Sequence, residues 1–239
     1  MAKHGKRYID ATATQVEDKV FRPREAFEML KSLPAAKFDE TIDVHMRLGI
    51  DPRHAEQQLR GVIVLPAGLG KTVRILVFAE GDAERIAKDA GADLVGSDEL
   101  VAKIEKENFL DFDVAIAVPD MMRKLGKLGK VLGTRGLMPN PKAGTVVAPD
   151  DLRRAIEEAR AGRVEYRNDK TANMHVPIGK RSFTVDQLMD NFSTLMEAIR
   201  INKPAAAKGV YIKKLVVTPT MGPGIKIDPN DALALKTEG

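Results

Sequence analysis

Cysteine is absent from this 239-residue chain, which excludes disulfide frameworks, cysteine-ligated zinc and thiol nucleophiles. Tryptophan is absent too, and aromatic residues make up only 5%, leaving little for stacking of bases along a single strand. No apolar run is long enough to cross a bilayer. The opening Met1-Ala2-Lys3-His4-Gly5-Lys6-Arg7 is basic but lacks the apolar stretch of a secretory signal, so a cytoplasmic address fits best. Nor is there a large surplus of one charge: 38 basic residues against 34 acidic leave +4, which by itself identifies no partner.

What is present is clustering. Arg123, Lys124, Lys127, Lys130, Arg135 and Lys142 follow one another without an intervening acid, and further basic concentrations lie at 3–7, 160–167 and 203–214. Any one such run could be solvated surface; several in a chain otherwise rich in acids point to a polyanionic partner.

The hydrophobic pattern changes style along the chain. Pro23, Phe27 and Leu30 indicate a helix that stops near Pro34. Ile42, Val44, Met46 and Leu48 alternate with Asp43, His45 and Arg47, the period of a strand with one face in water, which leaves His45 to solvent. A second strand is expected at 62–65. Beyond Pro66-Ala67-Gly68-Leu69-Gly70 the strands expected at 73–79, 92–95 and 114–118 are almost wholly apolar and separated by helical stretches at 84–90 and 100–107, the signature of a parallel sheet covered on both faces. A short strand at 145–148 and a helix at 151–160 complete this stretch, which ends at Ala161-Gly162. The half-polar style then returns at 164–167. A capping box, Thr184 to Gln187, opens a helix striped by Val185, Leu188, Met189, Phe192, Leu195, Met196 and Ile199. A last strand at 210–217 precedes a loosely ordered tail after Asp228. The pattern fits an α+β sandwich made from both chain ends with an α/β unit spliced in; two consecutive domains fit as well.

Catalytic readings fail on spacing. Gly68-Leu69-Gly70-Lys71-Thr72 imitates a phosphate loop, but Leu65 stands where its first glycine belongs and a strand, not a helix, follows. Gly126, Gly129, Gly133 and Gly136 do not form the dinucleotide fingerprint, and Gly96-Ser97-Asp98 lacks the flanks of a nucleophile elbow. His4, His45, His54 and His175 are scattered without metal-ligand spacing. No catalytic residue, metal or cofactor is expected.

Three stretches, in order and correctly spaced, carry a resemblance: Lys37-Phe38-Asp39-Glu40-Thr41; Leu125-Gly126-Lys127-Leu128-Gly129-Lys130-Val131-Leu132-Gly133-Thr134-Arg135-Gly136-Leu137-Met138-Pro139-Asn140-Pro141-Lys142; and Thr220-Met221-Gly222-Pro223. With Gly49-Ile50-Asp51-Pro52-Arg53 and Arg167-Asn168-Asp169-Lys170-Thr171 they resemble the bacterial family of large-subunit ribosomal protein L-one over nearly the whole chain. The chain departs from that pattern at Ala172, where glycine is expected, and in the tail beyond Asp228.

The resemblance implies a discontinuous RNA-binding α+β sandwich of residues 1–68 and 161–239, and an inserted Rossmann-like parallel α/β domain at 69–160, with Gly68, Gly70 and Gly162 as hinges. It implies a monomer in the ribosome that binds large-subunit rRNA and forms the mobile stalk beside the tRNA exit site. Release of deacylated exit-site tRNA and repression of its own operon mRNA are further implied roles. The implied RNA face centres on Phe38, Thr220, Met221 and Gly222, with Lys37, Thr41, Arg53, Arg163, Glu165, Arg167, Asp169, Lys170, Thr171 and His175 around it. Glycine at 222 would let backbone approach a ribose; Thr220 could both donate to and accept from a 2′-hydroxyl; Phe38 and Met221 would shield those bonds from water. Glu165 and Asp169 are expected to orient arginines rather than touch RNA. Arg123, Lys124, Lys127, Lys130, Arg135 and Lys142, on a glycine-rich loop, would make a secondary nucleic-acid contact. Two other classes fit parts of the chain: a phosphate-handling enzyme, marked by a helix beginning at Lys71, and a general nucleic-acid chaperone, marked by equal affinity for DNA and RNA.

Overall fold

The structure, a computed structural model, describes residues 5–13 and 19–235; the basic residues at positions 3 and 4 and the end of the tail lie outside them. In chain order, the opening segment forms α1 (Lys6–Ala13), α2 (Pro23–Ser32), β1 (Thr41–Leu48) and β2 (Arg60–Val64). The middle segment forms β3 (Ile75–Phe78), α3 (Asp82–Asp89), β4 (Leu94–Gly96), α4 (Asp98–Glu107), β5 (Val114–Ala117), the short α5 (Met122–Leu125) and α6 (Gly129–Thr134), and α7 (Leu152–Ala161). The closing segment forms β6 (Arg163–Arg167), β7 (Asn173–Lys180), α8 (Val185–Ile201), β8 (Ile212–Pro219), β9 (Ile225–Ile227) and α9 (Pro229–Ala234). Two compact units result, one of Met1–Gly70 with Val164–Gly239, the other Lys71–Arg163.

The first unit is built on an antiparallel sheet in the order β7-β1-β8-β9, with β2 and β6 paired as a separate ribbon. The period-two pattern puts Ile42, Val44, Met46 and Leu48 of β1 in the core together with Met174, Val176, Leu215, Val217 and Ile225; each side chain so removed from water contributes about 1.5–3 kcal/mol. Helix α8 covers this face. Its first turn is closed by Thr184, which accepts the Gln187 amide while the Gln187 side chain accepts the Thr184 amide. Phe192 meets Phe27 of α2 edge-on, with ring centroids 5.5 Å apart. A polar side chain is buried within this face: Asn191, wholly buried, binds the Ala67 amide and the carbonyls of Gly68 and Ile178 at 2.7–2.9 Å. Those bonds satisfy its amide and fix the chain as it approaches residue 70.

The second unit is a parallel sheet ordered β4-β3-β5. Alternate residues of its central strand feed two cores. Ile75 and Val77 pack with Ala155 and Ile156 of α7, while Leu76 and Phe78 pack with Ile104 of α4 and Leu125, Leu128 and Leu132. Both faces are therefore covered, which is why these strands read as unbroken apolar runs.

Several expectations need correction. The strand at 145–148 shrinks to a single bridge between Val146 and Ala117. The glycine-rich stretch after residue 122 is not a loop but a chain of helical turns, α5, a 3-10 turn at Gly126–Leu128 and α6, because Leu125, Leu128 and Leu132 form a buried stripe that overrides the low helix propensity of glycine. The tail carries α9, capped by Asp228, whose side chain accepts the Asn230 amide at 2.8 Å. The last long strand begins at Ile212, not 210, and β7 and β9 are additional to the strands expected. Lys71 starts no helix; its ammonium pairs with Asp113, so the phosphate-loop reading is set aside. Gly68, Gly70 and Gly162 all have positive φ, conformations that side chains resist.

Candidate nucleic-acid interface

At one end of the antiparallel sheet, the loop before β1 and the turn after β8 lie against each other. Phe38 and Met221 project from them, 54% and 52% exposed, so neither belongs to the core. Thr220 is fastened to Thr41: its amide donates to the Thr41 carbonyl and its hydroxyl accepts the Thr41 amide, both at 3.0 Å. Beneath them Glu40, 1% exposed, accepts the Met221 amide on Oε1 at 3.0 Å and the Ala36 amide on Oε2 at 3.2 Å. Arg181 donates to the same Oε2 at 3.0 Å. The Met221 carbonyl accepts from Arg7 of α1 at 3.3 Å. Gly222 has a plainer reason than ligand approach: a Cβ there would lie 2.5 Å from Cγ of Pro219.

At the other end, Asp169 organises the β6–β7 turn. It accepts the amides of Thr171 and Asn173 and the Thr171 hydroxyl, each at 2.8 Å. Burial would raise its pKa, but these bonds, led by that from Asn173, hold it below the ordinary carboxylate value. Asp169 therefore shapes its own loop rather than orienting an arginine. Glu165 does orient one, pairing with Arg60 at 2.7 Å. Arg60, Arg167, Asp169, Lys170, His175 and Pro52 line an open cleft of about 640 Å³. Among the described residues Arg53, Arg167 and Lys170 are exposed and make no ion pair, so their charges face solvent. Lys37 is likewise exposed, whereas Thr41 spends its hydroxyl accepting from Lys180 at 2.8 Å.

The two ends are joined by the solvent face of the sheet. Seven residue steps of β1 separate them, about 24 Å at strand rise. Along that face His45 is not left to water as expected: its Nδ1 lies 2.7 Å from Nδ1 of His175, its cross-strand neighbour, and its Nε2 lies 2.8 Å from Thr218 Oγ1. Burial first, and His175 second, push the His45 pKa down, with Asp43 opposing.

Not every expected residue joins this surface. The Arg163 guanidinium is held by Glu158 at 3.1 Å and the Ala143 carbonyl at 2.7 Å, within the second unit. In the basic run of that unit, Arg123, Lys127, Lys130, Arg135 and Lys142 are exposed. Lys124 is not free: the fold brings Glu80 and Asp98 to its ammonium, and the hydrogen bonds it donates to the two carboxylates raise its pKa. Among the described residues there is no cluster of three or more potential metal ligands and no helix long and apolar enough to cross a membrane.

A profile of the Ribosomal protein L1p/L10e family matches residues 30–223. The chain belongs to this family. It is 56% identical over 236 residues to the large ribosomal subunit protein uL1 of Chloroflexus aurantiacus, covering 99% of this chain and all of that one. It is 57% identical to the protein of that name from Chloroflexus aggregans and 55% to that of Dehalococcoides mccartyi, each over 228 residues, 95% of this chain and 96% of theirs. As an L1-family member it is a structural protein of the cytoplasmic bacterial ribosome and not an enzyme.

Sequence reasoning gives no role to Glu40, Arg181 or Arg7, and for His45 it gives only solvent exposure. Glu40 lies inside a recognised stretch, but an acid before a strand carries no sign of burial, and its partner is 141 positions away.

Proposed function

We propose that this L1-family protein is a constituent of the large ribosomal subunit that grips a folded segment of large-subunit rRNA on its first unit. The observation that carries this reading is the pair of exposed apolar side chains, Phe38 and Met221, on backbone anchored by Glu40 and Thr41. They stand at one end of a polar sheet face whose other end holds Arg53, Arg167 and Lys170. A face about 24 Å long, with few aromatics, suits recognition of RNA shape and 2′-hydroxyls rather than stacking of single bases. The relatives' names, large ribosomal subunit proteins, support the same partner.

In this reading residues 1–68 and 161–239 form the RNA-binding domain and 69–160 an inserted Rossmann-like domain, with Gly68, Gly70 and Gly162 as hinges. The protein works as a monomer within the mobile stalk beside the tRNA exit site. Arg123, Lys127, Lys130, Arg135 and Lys142 make a secondary contact, with exit-site tRNA as its partner, and assist release of deacylated tRNA. The same first-unit face represses translation by binding a similarly folded segment of its own operon mRNA.

Filter binding of the intact protein to a transcript of the rRNA stalk, across salt concentrations and beside DNA of the same sequence, tests the proposal. RNA should bind far more tightly than DNA, and Arg167→Ala or Lys170→Ala should each lower the salt slope by about 1. Equal affinity for both nucleic acids would point to a general chaperone instead.

A further inference from the structure

Glu40 is the most deeply buried carboxylate among the described residues and none of the expected contacts employs it. Its oxygens collect three donors, the nearby Ala36 amide and, from far along the chain, the Arg181 guanidinium and the Met221 amide. Arg181 is in turn fixed by the carbonyls of Lys31 and Leu33 and by its own amide, which donates to the Glu40 carbonyl at 2.8 Å. Next in sequence, Asp39 accepts the Ser182 amide at 3.0 Å and its hydroxyl at 2.8 Å. The Phe38 loop and the Met221 turn are therefore tied through one carboxylate.

We infer that Glu40, held by Arg181, is a positioning residue that locks the Phe38 loop and the Thr220–Gly222 turn into one presented surface. This rests on the RNA-binding reading above. The physical argument is one of cost. Burying an ion pair loses several kcal/mol of hydration, and replacing both partners with apolar groups is often neutral or stabilising. Stability alone thus gives little reason for a charge here. Directional fixing of two exposed loops does, since a carboxylate accepts several hydrogen bonds at set angles, which an apolar filler cannot.

Two variants separate positioning from stability in the intact chain: Glu40→Gln, and the double variant Glu40→Leu with Arg181→Met. Urea unfolding, hydrogen exchange at the Met221 amide and binding to a stalk rRNA transcript are measured on each. Positioning predicts that the double variant exchanges Met221 about tenfold faster and binds RNA about tenfold more weakly, each tenfold matching 1.4 kcal/mol, beyond whatever stability is lost by leaving the Ala36 and Met221 amides without their acceptor. Its binding loss should not add to that of Met221→Ala, while it should add to that of Lys170→Ala. Core amides at Val44 and Met46 should be unaffected. Should the double variant not fold, the same Met221 and binding changes are expected in Glu40→Gln. Unchanged Met221 exchange in a folded variant, or a binding loss that only follows stability, overturns the inference. If the unaltered protein fails to bind the transcript, the RNA reading falls, and the exchange measurement still decides whether Glu40 fixes the turn.

Discussion

Thr220 and Thr41 are joined twice, backbone to backbone and hydroxyl to backbone, each at 3.0 Å. The Thr220 hydroxyl also lies 3.2 Å from the Thr41 carbonyl, so its single proton is committed and one acceptor lone pair is left. A ribose 2′-hydroxyl can donate to Thr220 but cannot accept from it. Thr220→Val strips the Thr41 amide of its side-chain acceptor and should lower stability by about 1–3 kcal/mol as well as RNA affinity. Thr220→Ser should preserve both. Urea unfolding with parallel binding isotherms provides the check.

Phe38→Ala and Met221→Ala remove exposed side chains, so stability should stay within about 0.5 kcal/mol while RNA affinity falls about tenfold. Gly222→Ala should behave differently. Its methyl group meets Pro219, so stability and affinity should drop together, and that variant cannot by itself report a direct ribose contact. Thermal melts beside binding measurements separate the two classes.

Ala172 has φ of 62° with its carbonyl accepting the Leu48 amide at 2.9 Å. It is the place where the family resemblance leads one to expect glycine. The left-handed conformation costs a non-glycine residue about 1–2 kcal/mol, partly offset in Ala172→Gly by the greater freedom of the unfolded chain, about 0.4–1 kcal/mol. A net gain of about 0.5–1 kcal/mol on denaturant unfolding is expected; a loss would mean that the buried methyl outweighs the strain.

Much of this fold is legible in the residues because its two halves obey different periods. The alternation of Ile42 to Leu48 and the apolar run of Ile75 to Phe78 report one-sided and two-sided burial directly. The stretch 173–180 is harder: Met174, Val176 and Ile178 keep the alternation, but Pro177 and Gly179 are poor strand residues, and its pairing with β1 decides the matter. The four glycines between 126 and 136 suggest a loop, yet leucines at 125, 128 and 132 make helical turns of it by packing. At the interface, the exposed Phe38 and Met221 follow from the motif, whereas Glu40 and His45 depend on partners 181 and 130 positions away, which no local pattern encodes.

The His45–His175 pair makes stability depend on pH. Because burial and His175 depress the His45 pKa below its ordinary value of 6.5, the unfolded chain takes up that proton first. The His45 contribution is therefore complete above about pH 6.5 and is lost as pH falls through the depressed folded value. Asp43 acts oppositely: burial raises its pKa, against His45, Lys180 and His175, so it favours the fold only as the pH becomes acidic enough to protonate it. Between pH 7.5 and 5.5 the melting temperature should decline, and His45→Gln should flatten that decline. An unchanged slope in His45→Gln would remove the pair as its cause.

The most direct test of the RNA face is ultraviolet crosslinking of the intact protein to a stalk rRNA transcript, followed by identification of the modified peptides. Adducts on the peptides that carry Phe38 and Met221, with further adducts near Arg167 and Lys170, are the predicted result. Adducts confined to 123–142 or 203–214, with the Phe38 and Met221 peptides unmodified, would contradict it.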